Sequence, residues 1–470
     1  MGGLSSLPPA FALVAIVGAA GCGSSGDGRR AAPAGPAPRA IECPPRLPAP
    51  SPLPGVRPEQ RTAAYWLERA ALQGGLDDVL LSAEEIALHD QALKAPREDG
   101  KSLGWVDLTL PVQTAALRDE LAERLGYLRE RAASGEYVDA SGRRLDAARV
   151  EVFAVPDPLP EIGLELHLTL ANVQFRCGPV REGLYRLPVD AAFNRNSCGS
   201  VHPQEPVLVL ARWPGGSMLA RARHSFGWID GVAPLSPPIR GPVAASIASG
   251  PRSELLADAT LEPEEGGSTS ALPRGTLLAS VRGRSGRVYF ASATGMHTSQ
   301  ELPATVLRST ERPLTRRAVL EAAFALVDSP YGWGGDRGGR DCSGFLLDVF
   351  ASFGLQLPRD SARQALAGTG SLPVGPEEGE AERLALLDEA GRRGVVLLHF
   401  PGHIMLYLGR AEDGAPMAIH SFAEYLEPCA GGGETLRTVD RVTVSDLSLG
   451  RGTSRRSFLE RITRIVILGH

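Results

Sequence analysis

Lysine is nearly absent from this chain, and the chain has no surplus of positive charge. Lys94 and Lys101 are the only lysines, and the 470 residues carry a net charge of -5. A nucleic-acid partner normally requires a basic surface, so the charge balance gives no reason to expect one. Hydrophobic residues make up 43% of the chain and charged residues 22%, which is typical of folded globular domains, and the length predicts several of them.

Long apolar runs are also scarce, and the one that stands out spans Ala10 to Gly21. It is shorter than the roughly 20 apolar residues that cross a bilayer, but it is typical of the core of a secretory signal. The run ends in AAGC at Cys22, which resembles a bacterial lipobox, whose cysteine becomes the lipidated first residue. An ordinary signal peptide with an incidental cysteine is the alternative. The Pro-, Ala- and Gly-rich segment that follows predicts a disordered tether, and no later segment is apolar enough for a transmembrane helix.

The cysteines are few, and their number is informative for an exported protein. Besides Cys22 they are Cys43, Cys177, Cys198, Cys342 and Cys429. Disulfides persist outside the cytoplasm, and five thiols leave one unpaired if the other four pair. Cys177 and Cys198 are close in sequence and are the preferred pair. The chain has no CxxC or HExxH spacing, which argues against zinc, and its glycine-rich loop lacks the GK[ST] ending of a phosphate loop.

The pattern of apolar residues divides the chain into helical, strand-rich and mixed regions. Amphipathic stretches such as TAAYWLERAAL predict helices from about residue 61 to 149, with Ser82 as a candidate N-cap. Short strands broken by Gly and Pro then predict two small β-barrels. Near the C-terminus helices precede strand-like runs, which favours an α+β fold over a doubly wound sheet. The predicted regions are a signal peptide (1–22), a tether (23–60), a helical domain (61–149), two barrels (150–232 and 233–310) and a mixed domain (311–470).

One cysteine stands directly after an acid in the stretch YGWGGDRGGRDCSGF. If Asp341 caps the following helix, Cys342 lies in its first turn, where unpaired N–H groups and the helix dipole favour an anion. We therefore expect a lowered pKa for this thiol and a reactive thiolate. Ser343 and Gly344 are small, and the glycines of the preceding loop are expected to give a substrate access to the sulfur.

Two histidines downstream are candidate partners for this thiol. His403 opens the strand HIMLYLG, and His420 lies in AIHSF on the next strand-like run. The connection AEDGAP predicts a hairpin, so the two imidazoles are expected to face each other across antiparallel strands, one orienting the other. His399, on the preceding strand, is a rival base. A structural cysteine, satisfied polar histidines and a zinc site are the alternatives to catalysis.

Four motifs follow one another over the last third of the chain. They are YGWGGDRGGRDCSGF, LPRDSARQ, GHIMLYLG and AIHS. Their sequence and order resemble the NlpC/P60 family of cell-wall cysteine peptidases, which implies a papain-like α+β catalytic domain. Upstream, VLLSAEEIALHDQAL and RWPGGSMLARARHSFGWID resemble the multi-domain branch of that family, with a helical N-terminal segment and two bacterial SH3 domains. That branch is similar to γ-D-glutamyl-L-diamino acid endopeptidases.

The resemblance implies roles for particular positions. Cys342 would be the nucleophile, His403 its general base and His420 the residue that orients the base, while backbone N–H groups near the sulfur would hold the oxyanion. The positions expected to shape the substrate pocket are Tyr331, Asp341, Ser343, Asp360 and Ser361. Asp360 suits the ammonium group of an N-terminal L-Ala, with helix capping as its alternative role.

An aromatic residue of the first SH3 domain closes the pocket in the branch, and Phe193 and Tyr185 are the candidates for it here. The expected reaction is hydrolysis of the amide between γ-D-Glu and a diamino acid through a cysteine thioester, with no cofactor or metal. The expected protein is an exported monomer that acts on peptidoglycan-derived peptides, is membrane-anchored through Cys22, and is periplasmic where an outer membrane exists. An amidase or acyltransferase on the same thiol, and a non-catalytic wall-binding lipoprotein, are the alternatives.

Overall fold

The computed structural model describes residues 43–98 and 100–470. The apolar N-terminal run, Cys22 and most of the predicted tether lie outside the described residues. Within the described part of the chain, every helix is too short or too polar to cross a membrane.

The first region of the described chain is mainly helical. Its elements are β1 (Arg46–Pro48), α1 (Ala63–Gln73), α2 (Ala83–Leu93), α3 (Thr114–Ser134) and α4 (Ala147–Glu151). The predicted cap of α2 is confirmed, because the Ser82 hydroxyl accepts the Glu85 N–H while the Glu85 carboxylate accepts the Ser82 N–H. This reciprocal pair satisfies two donors that a helix start otherwise leaves without a partner.

These helices divide between two hydrophobic cores, although the sequence predicts one helical module. Trp66 of α1 and Ile86 of α2 pack in the core of the C-terminal domain. Leu121, Leu125 and Leu128 of α3 pack instead with the first β-sheet. The spacing of these leucines places them along one face of α3. The first β-sheet covers that face, whereas α1 and α2 pack in the other core.

The two strand-rich regions form separate antiparallel sheets. The first contains β2 (Ile162–Leu168), β3 (Val173–Arg176), β4 (Ser197–Val201), β5 (Pro206–Trp213), β6 (Ser217–Ala222) and β7 (Phe226–Asp230), in the order β2-β5-β6-β7-β3-β4. Its two faces join different cores, since Trp228 packs towards α3 and the adjacent Ile229 towards Val173 and Phe175. A disulfide joins Cys177, just after β3, to Cys198 in β4, so the preferred pairing is confirmed.

The second strand-rich region follows α5 (Pro242–Ser249). It contains β8 (Arg252–Leu255), β9 (Ala259–Leu261), β10 (Ser270–Leu272), β11 (Leu277–Ser280), β12 (Val288–Ser292), β13 (Gly295–Thr298) and β14 (Leu307–Ser309). Five of these strands pair in the order β13-β12-β11-β8-β14, and β9 pairs with β10. Leu255, Leu278 and Phe290 form a small core of their own. The SH3-like character of both regions stays a prediction.

The C-terminal region is an α+β domain, as predicted. Its elements are α6 (Arg316–Phe324), α7 (Cys342–Ala351), α8 (Ser361–Gln364), β15 (Gly370–Pro373), α9 (Glu380–Arg393), β16 (Gly394–Phe400), β17 (His403–Arg410), β18 (Pro416–Pro428), β19 (Glu434–Asp446), α10 (Phe458–Arg461) and β20 (Arg464–Gly469). The sheet order is β1-β19-β18-β17-β16-β20-β15. The hairpin predicted at Ala411 to Pro416 joins β17 to β18, which pair antiparallel.

The N-terminal end of the described chain is attached to this sheet. β1 pairs parallel to β19, with Leu47 opposite Arg437, and forms one edge of the sheet. A second disulfide joins Cys43 to Cys429. Cys342 is the free cysteine of the described chain.

Candidate active site

The first turn of α7 holds Cys342 where the sequence places it. The Asp341 carboxylate accepts the N–H of Gly344 at 2.7 Å, which makes Asp341 the N-cap of the helix. Its other oxygen accepts the N–H of Gly334 at 3.0 Å and so ties the glycine-rich loop to the helix start. Phe345 is completely buried and anchors this turn in the core.

Arg359 fixes this helix start, and sequence reasoning missed it. Its guanidinium donates to both carboxylate oxygens of Asp341, at 3.0 and 2.8 Å, and to the Ser343 hydroxyl at 3.1 Å. Although burial opposes the charge, the Arg359 guanidinium holds the pKa of the Asp341 carboxyl below its usual value. Asp341 and Ser343 line the predicted pocket, and their polar groups are already engaged with this arginine.

The glycines of the preceding loop serve packing against the first sheet. Gly334 and Gly335 have φ values of 61° and 80°, in the left-handed region that side chains disfavour. A Cβ at Gly334 would collide with Ser197 of β4, and one at Gly335 would collide with Ser200. These glycines therefore allow the loop to approach β4 closely, and their expected role in giving a substrate access to the sulfur stays a prediction.

Two imidazoles and a hydroxyl form a hydrogen-bonded chain behind the cleft. His403 Nε2 lies 2.7 Å from His420 Nδ1, and His420 Nε2 lies 2.8 Å from the Ser445 hydroxyl. His420 and Ser445 are completely buried. If each imidazole N–H donates towards Ser445, His403 keeps a proton on Nε2 and an unprotonated Nδ1, which is the form required of a base.

Burial sets the protonation states of this site, contrary to one sequence expectation. The Cys342 side chain is buried, and burial together with the Asp341 carboxylate raises the pKa of its thiol to about 12. Backbone N–H groups of Ile404 and Ser343 oppose this shift without overcoming it. The predicted lowering of the pKa is wrong because the cost of burying the charge exceeds the effect of the helix start.

The two histidines are also held neutral. Burial lowers the pKa of His403 to about 3, and the Arg461 guanidinium acts in the same direction. Burial likewise lowers the pKa of His420 well below its usual value. Burial therefore favours the neutral forms of the thiol and of both imidazoles in this site.

These side chains surround a cleft of about 630 Å³ between the first strand-rich region and the C-terminal domain. The predicted residues that line it are Cys342, His403, Tyr331, Asp341, Ser343, Asp360 and Ser361. His420 lies behind His403 and contacts it directly. Asp360 also caps α8 by accepting the N–H of Arg363 at 2.9 Å, so its capping role is present.

The rival base is placed elsewhere. His399 lies on β16 opposite Ile404, and its neighbour Phe400, which points to the other face of the strand, lines the cleft. In the described chain His399 Nε2 is buried without a hydrogen-bond partner. His399 is therefore not among the described residues that line the cleft shared by Cys342 and His403.

The opposite wall of the cleft comes from the segment between β3 and β4. The Phe193 ring lies 6.4 Å from the Tyr331 ring and 5.5 Å from the Trp333 ring. Of the two aromatic candidates, Phe193 lines the cleft. Tyr185 instead pairs with Val138 through its backbone. Arg195 and Trp333 also line the cleft and were missed, since only the fold brings them together.

The C-terminal α+β domain thus holds a free thiol and a histidine in one cleft, with a second histidine hydrogen-bonded behind the first. Residues 328–448 match the model of the NlpC/P60 family, so the chain contains an NlpC/P60 domain. The match covers the glycine-rich loop, Cys342, His403, His420 and Ser445.

Individual proteins are similar to parts of this chain. A γ-D-glutamyl-L-lysine dipeptidyl-peptidase of Bacillus subtilis is 34% identical over 96 residues, which cover 20% of this chain and 30% of the relative. A probable endopeptidase of Mycobacterium bovis is 36% identical over 83 residues, which cover 17% of this chain and 21% of the relative. The chain thus spans less than a third of the length of these relatives. An NlpC/P60 endopeptidase structure from Photobacterium damselae subsp. piscicida has a TM-score of 0.62 at 16% identity, covering 84% of this chain and 94% of that one, which supports the fold.

Proposed function

We propose that this protein is a cysteine peptidase that hydrolyses the amide between γ-D-Glu and a diamino acid in peptidoglycan stem peptides. The observation that carries the proposal is the hydrogen-bonded chain that runs from His403, in the cleft wall that also holds the free thiol of Cys342, back through His420 to Ser445. The name of the Bacillus subtilis relative supports the choice of a γ-D-glutamyl bond.

The reaction starts from the neutral thiol. His403 Nδ1 accepts the thiol proton as the sulfur attacks the carbonyl carbon, and the carbonyl oxygen takes up the negative charge. Backbone N–H groups at the start of α7 stabilise that oxygen in the proposed mechanism. The C–N bond then breaks, and His403 returns the proton to the leaving amine. Water, deprotonated by His403, cleaves the resulting thioester and regenerates the thiol.

The hydrogen-bonded chain keeps the base in one orientation and one tautomer. His420 and Ser445 do not touch the substrate, so they act as positioning residues. An imidazole in this place orients His403 without adding the negative charge that a carboxylate would bring into a buried site.

Mass spectrometry of the products from one purified stem peptide tests the proposed reaction. A tripeptide of L-Ala, γ-linked D-Glu and a diamino acid should yield the dipeptide and the free diamino acid. The Cys342→Ala variant, checked for an unchanged melting temperature, should yield neither. Cleavage at another bond, transfer of the acyl group to an added amine in place of water, or full activity of the variant would reject the proposal.

We also propose that the protein is exported and held at a membrane by a lipid on Cys22. The AAGC sequence after an apolar run supports this. The two strand-rich regions are proposed to be SH3-like domains, and the first supplies a wall of the cleft through Phe193.

A further inference from the structure

Arg195 occupies the wall of the cleft that the first strand-rich region provides. Its backbone N–H donates to the Leu184 carbonyl at 2.6 Å, which fixes the segment before β4. Its guanidinium carbon lies 4.3 Å from the centre of the Trp333 ring and 5.7 Å from that of Phe193. Two rings therefore hold the planar guanidinium in a defined place beside the substrate site.

In the described chain this guanidinium lacks the carboxylate partner that three other arginines of the cleft have. Arg359 is bound by Asp341, Arg186 by Glu136 and Arg455 by Glu424. Within residues 43–98 and 100–470, no acidic side chain forms an ion pair with Arg195, and its Nε is buried without a hydrogen-bond partner. A buried donor without a hydrogen-bond partner is unfavourable, and a carboxylate bound to the guanidinium would compensate for this.

Tyr331 lines the same cleft as Arg195 and Cys342. Burial raises the pKa of the Tyr331 phenol, Cys342 raises it further, and Arg195 lowers it. The phenol is therefore within electrostatic range of both groups, and both line the same cleft. A peptide bound at the sulfur would therefore lie in the same cleft as the guanidinium.

We propose that Arg195, held by Trp333 and Phe193, forms a carboxylate-binding subsite for the peptide whose amide bond lies at Cys342. The inference rests on the proposed function and specifies its substrate as a peptide with a free carboxylate next to the cleaved bond. A guanidinium fork binds a carboxylate through two parallel hydrogen bonds, which gives orientation as well as affinity. A γ-linked glutamyl residue offers its free α-carboxylate, and the diamino acid offers its own, so two positions supply the same chemistry.

Binding to the full-length Cys342→Ala variant separates these two positions without any turnover. Calorimetry would compare the parent tripeptide with one amidated at the glutamyl α-carboxylate and one amidated at the carboxylate of the diamino acid. We expect one amidation to weaken binding about 10- to 100-fold, the range of a hydrogen bond to a charged group, and the other to have little effect. The sensitive peptide identifies the carboxylate that Arg195 binds.

Substitution of the arginine completes the test. Arg195→Gln in the same background should weaken binding of the parent peptide by a similar factor. It should leave the affinity for the sensitive amidated peptide unchanged. Arg186→Gln is the matched control, because it removes a charge from the rim of the same cleft, where Glu136 already binds the arginine. It should change affinity less than about twofold, since an exposed paired charge contributes little.

The outcomes distinguish the subsite from the reaction. Equal weakening by Arg195→Gln and Arg186→Gln would overturn the subsite in favour of general attraction between charges. Indifference of binding to both amidations would overturn it as well, even if Arg195→Gln failed to fold. If the unmodified protein still released the diamino acid in either case, the proposed reaction would stand. Absence of cleavage together with a selective effect of amidation would reject the reaction and keep the anion site.

Discussion

His403 Nε2 and His420 Nδ1 lie 2.7 Å apart, and this contact determines which ring nitrogen of His403 faces the chemistry. Because Nε2 contacts its neighbour, Nδ1 is the nitrogen that remains for the proposed proton transfer with Cys342. The orientation is set one step further back, where Ser445 binds the other nitrogen of His420. The alignment of the proposed base therefore depends on Ser445, a buried residue of β19 that is not among those lining the cleft.

The Ser445 hydroxyl is expected to matter for turnover. Ser445→Ala leaves His420 Nε2 buried without a partner, which costs about 1–3 kcal/mol and loosens the alignment of His403. We expect kcat to fall about 10-fold with little change in KM, and the pH profile of kcat to shift. Thr443→Val is the matched control on the same strand, because the buried Thr443 hydroxyl has no hydrogen-bond partner in the described chain. Equal losses in both variants would contradict a positioning role.

The Cys342 thiol should react slowly at neutral pH. Its raised pKa means that the thiolate fraction keeps increasing as pH rises beyond the usual value near 9. The rate of alkylation by iodoacetamide should therefore climb through pH 9–10 without reaching a plateau. The Cys342→Ala variant corrects for other reactive groups. A constant, high rate from pH 5 to 8 would instead show a preformed thiolate–imidazolium pair.

Acid should destabilise the protein through its buried histidines. The folded pKa of His403 is about 3, below that of the unfolded chain near 6.5, so the unfolded state binds more protons between these values. The free energy of unfolding should then fall as pH decreases from 6.5 towards 3, by up to about 1.4 kcal/mol per pH unit for each such histidine. Melting temperatures of the protein and of His420→Asn across this range test the point. The variant should lose less stability, and parallel curves would argue against this origin.

Asp360 is expected to bind the free amino group of the substrate. Asp360→Asn removes the charge and retains a side chain that caps α8 well, so the fold should be unaffected. We expect kcat/KM for a peptide with a free N-terminus to fall about 10-fold or more, in line with a charged hydrogen bond. Activity on the N-acetylated peptide should be low and unchanged by the substitution. If acetylation alone had no effect on the unmodified protein, Asp360 would be left with capping only.

Membrane attachment is expected to depend on Cys22. Cys22→Ala should move the protein from the membrane fraction to the soluble fraction of cells that process lipoproteins, because the site of lipidation is lost. Immunoblots of separated fractions measure this, with Cys342→Ala as a control that keeps the lipobox. Unchanged association of Cys22→Ala with membranes would contradict the lipid anchor.

The sequence predicts those parts of the site that are encoded locally. The start of α7 at Asp341 and the β17–β18 hairpin depend on capping and turn residues that are visible in the chain, and both are confirmed. No local pattern specifies the roles of Arg359, Ser445 and Arg195, because these roles depend on contacts between segments that are distant in the sequence. The sequence predicts a lowered pKa for the Cys342 thiol, whereas this pKa is raised, and the reason is similar. A helix start can be predicted from the sequence, whereas the degree of burial cannot.

The parallel pairing of β1 with β19 means that the sheet of the C-terminal domain includes a strand from the N-terminal end of the described chain. A protein shortened to residues 311–470 would lose β1 and expose the backbone of Leu436 to Thr438 at a sheet edge, which invites strand-to-strand aggregation. It would also lose Cys43 and leave Cys429 as a second free thiol in addition to Cys342. Transfer of this domain to another protein would therefore have to move two distant segments of the gene together.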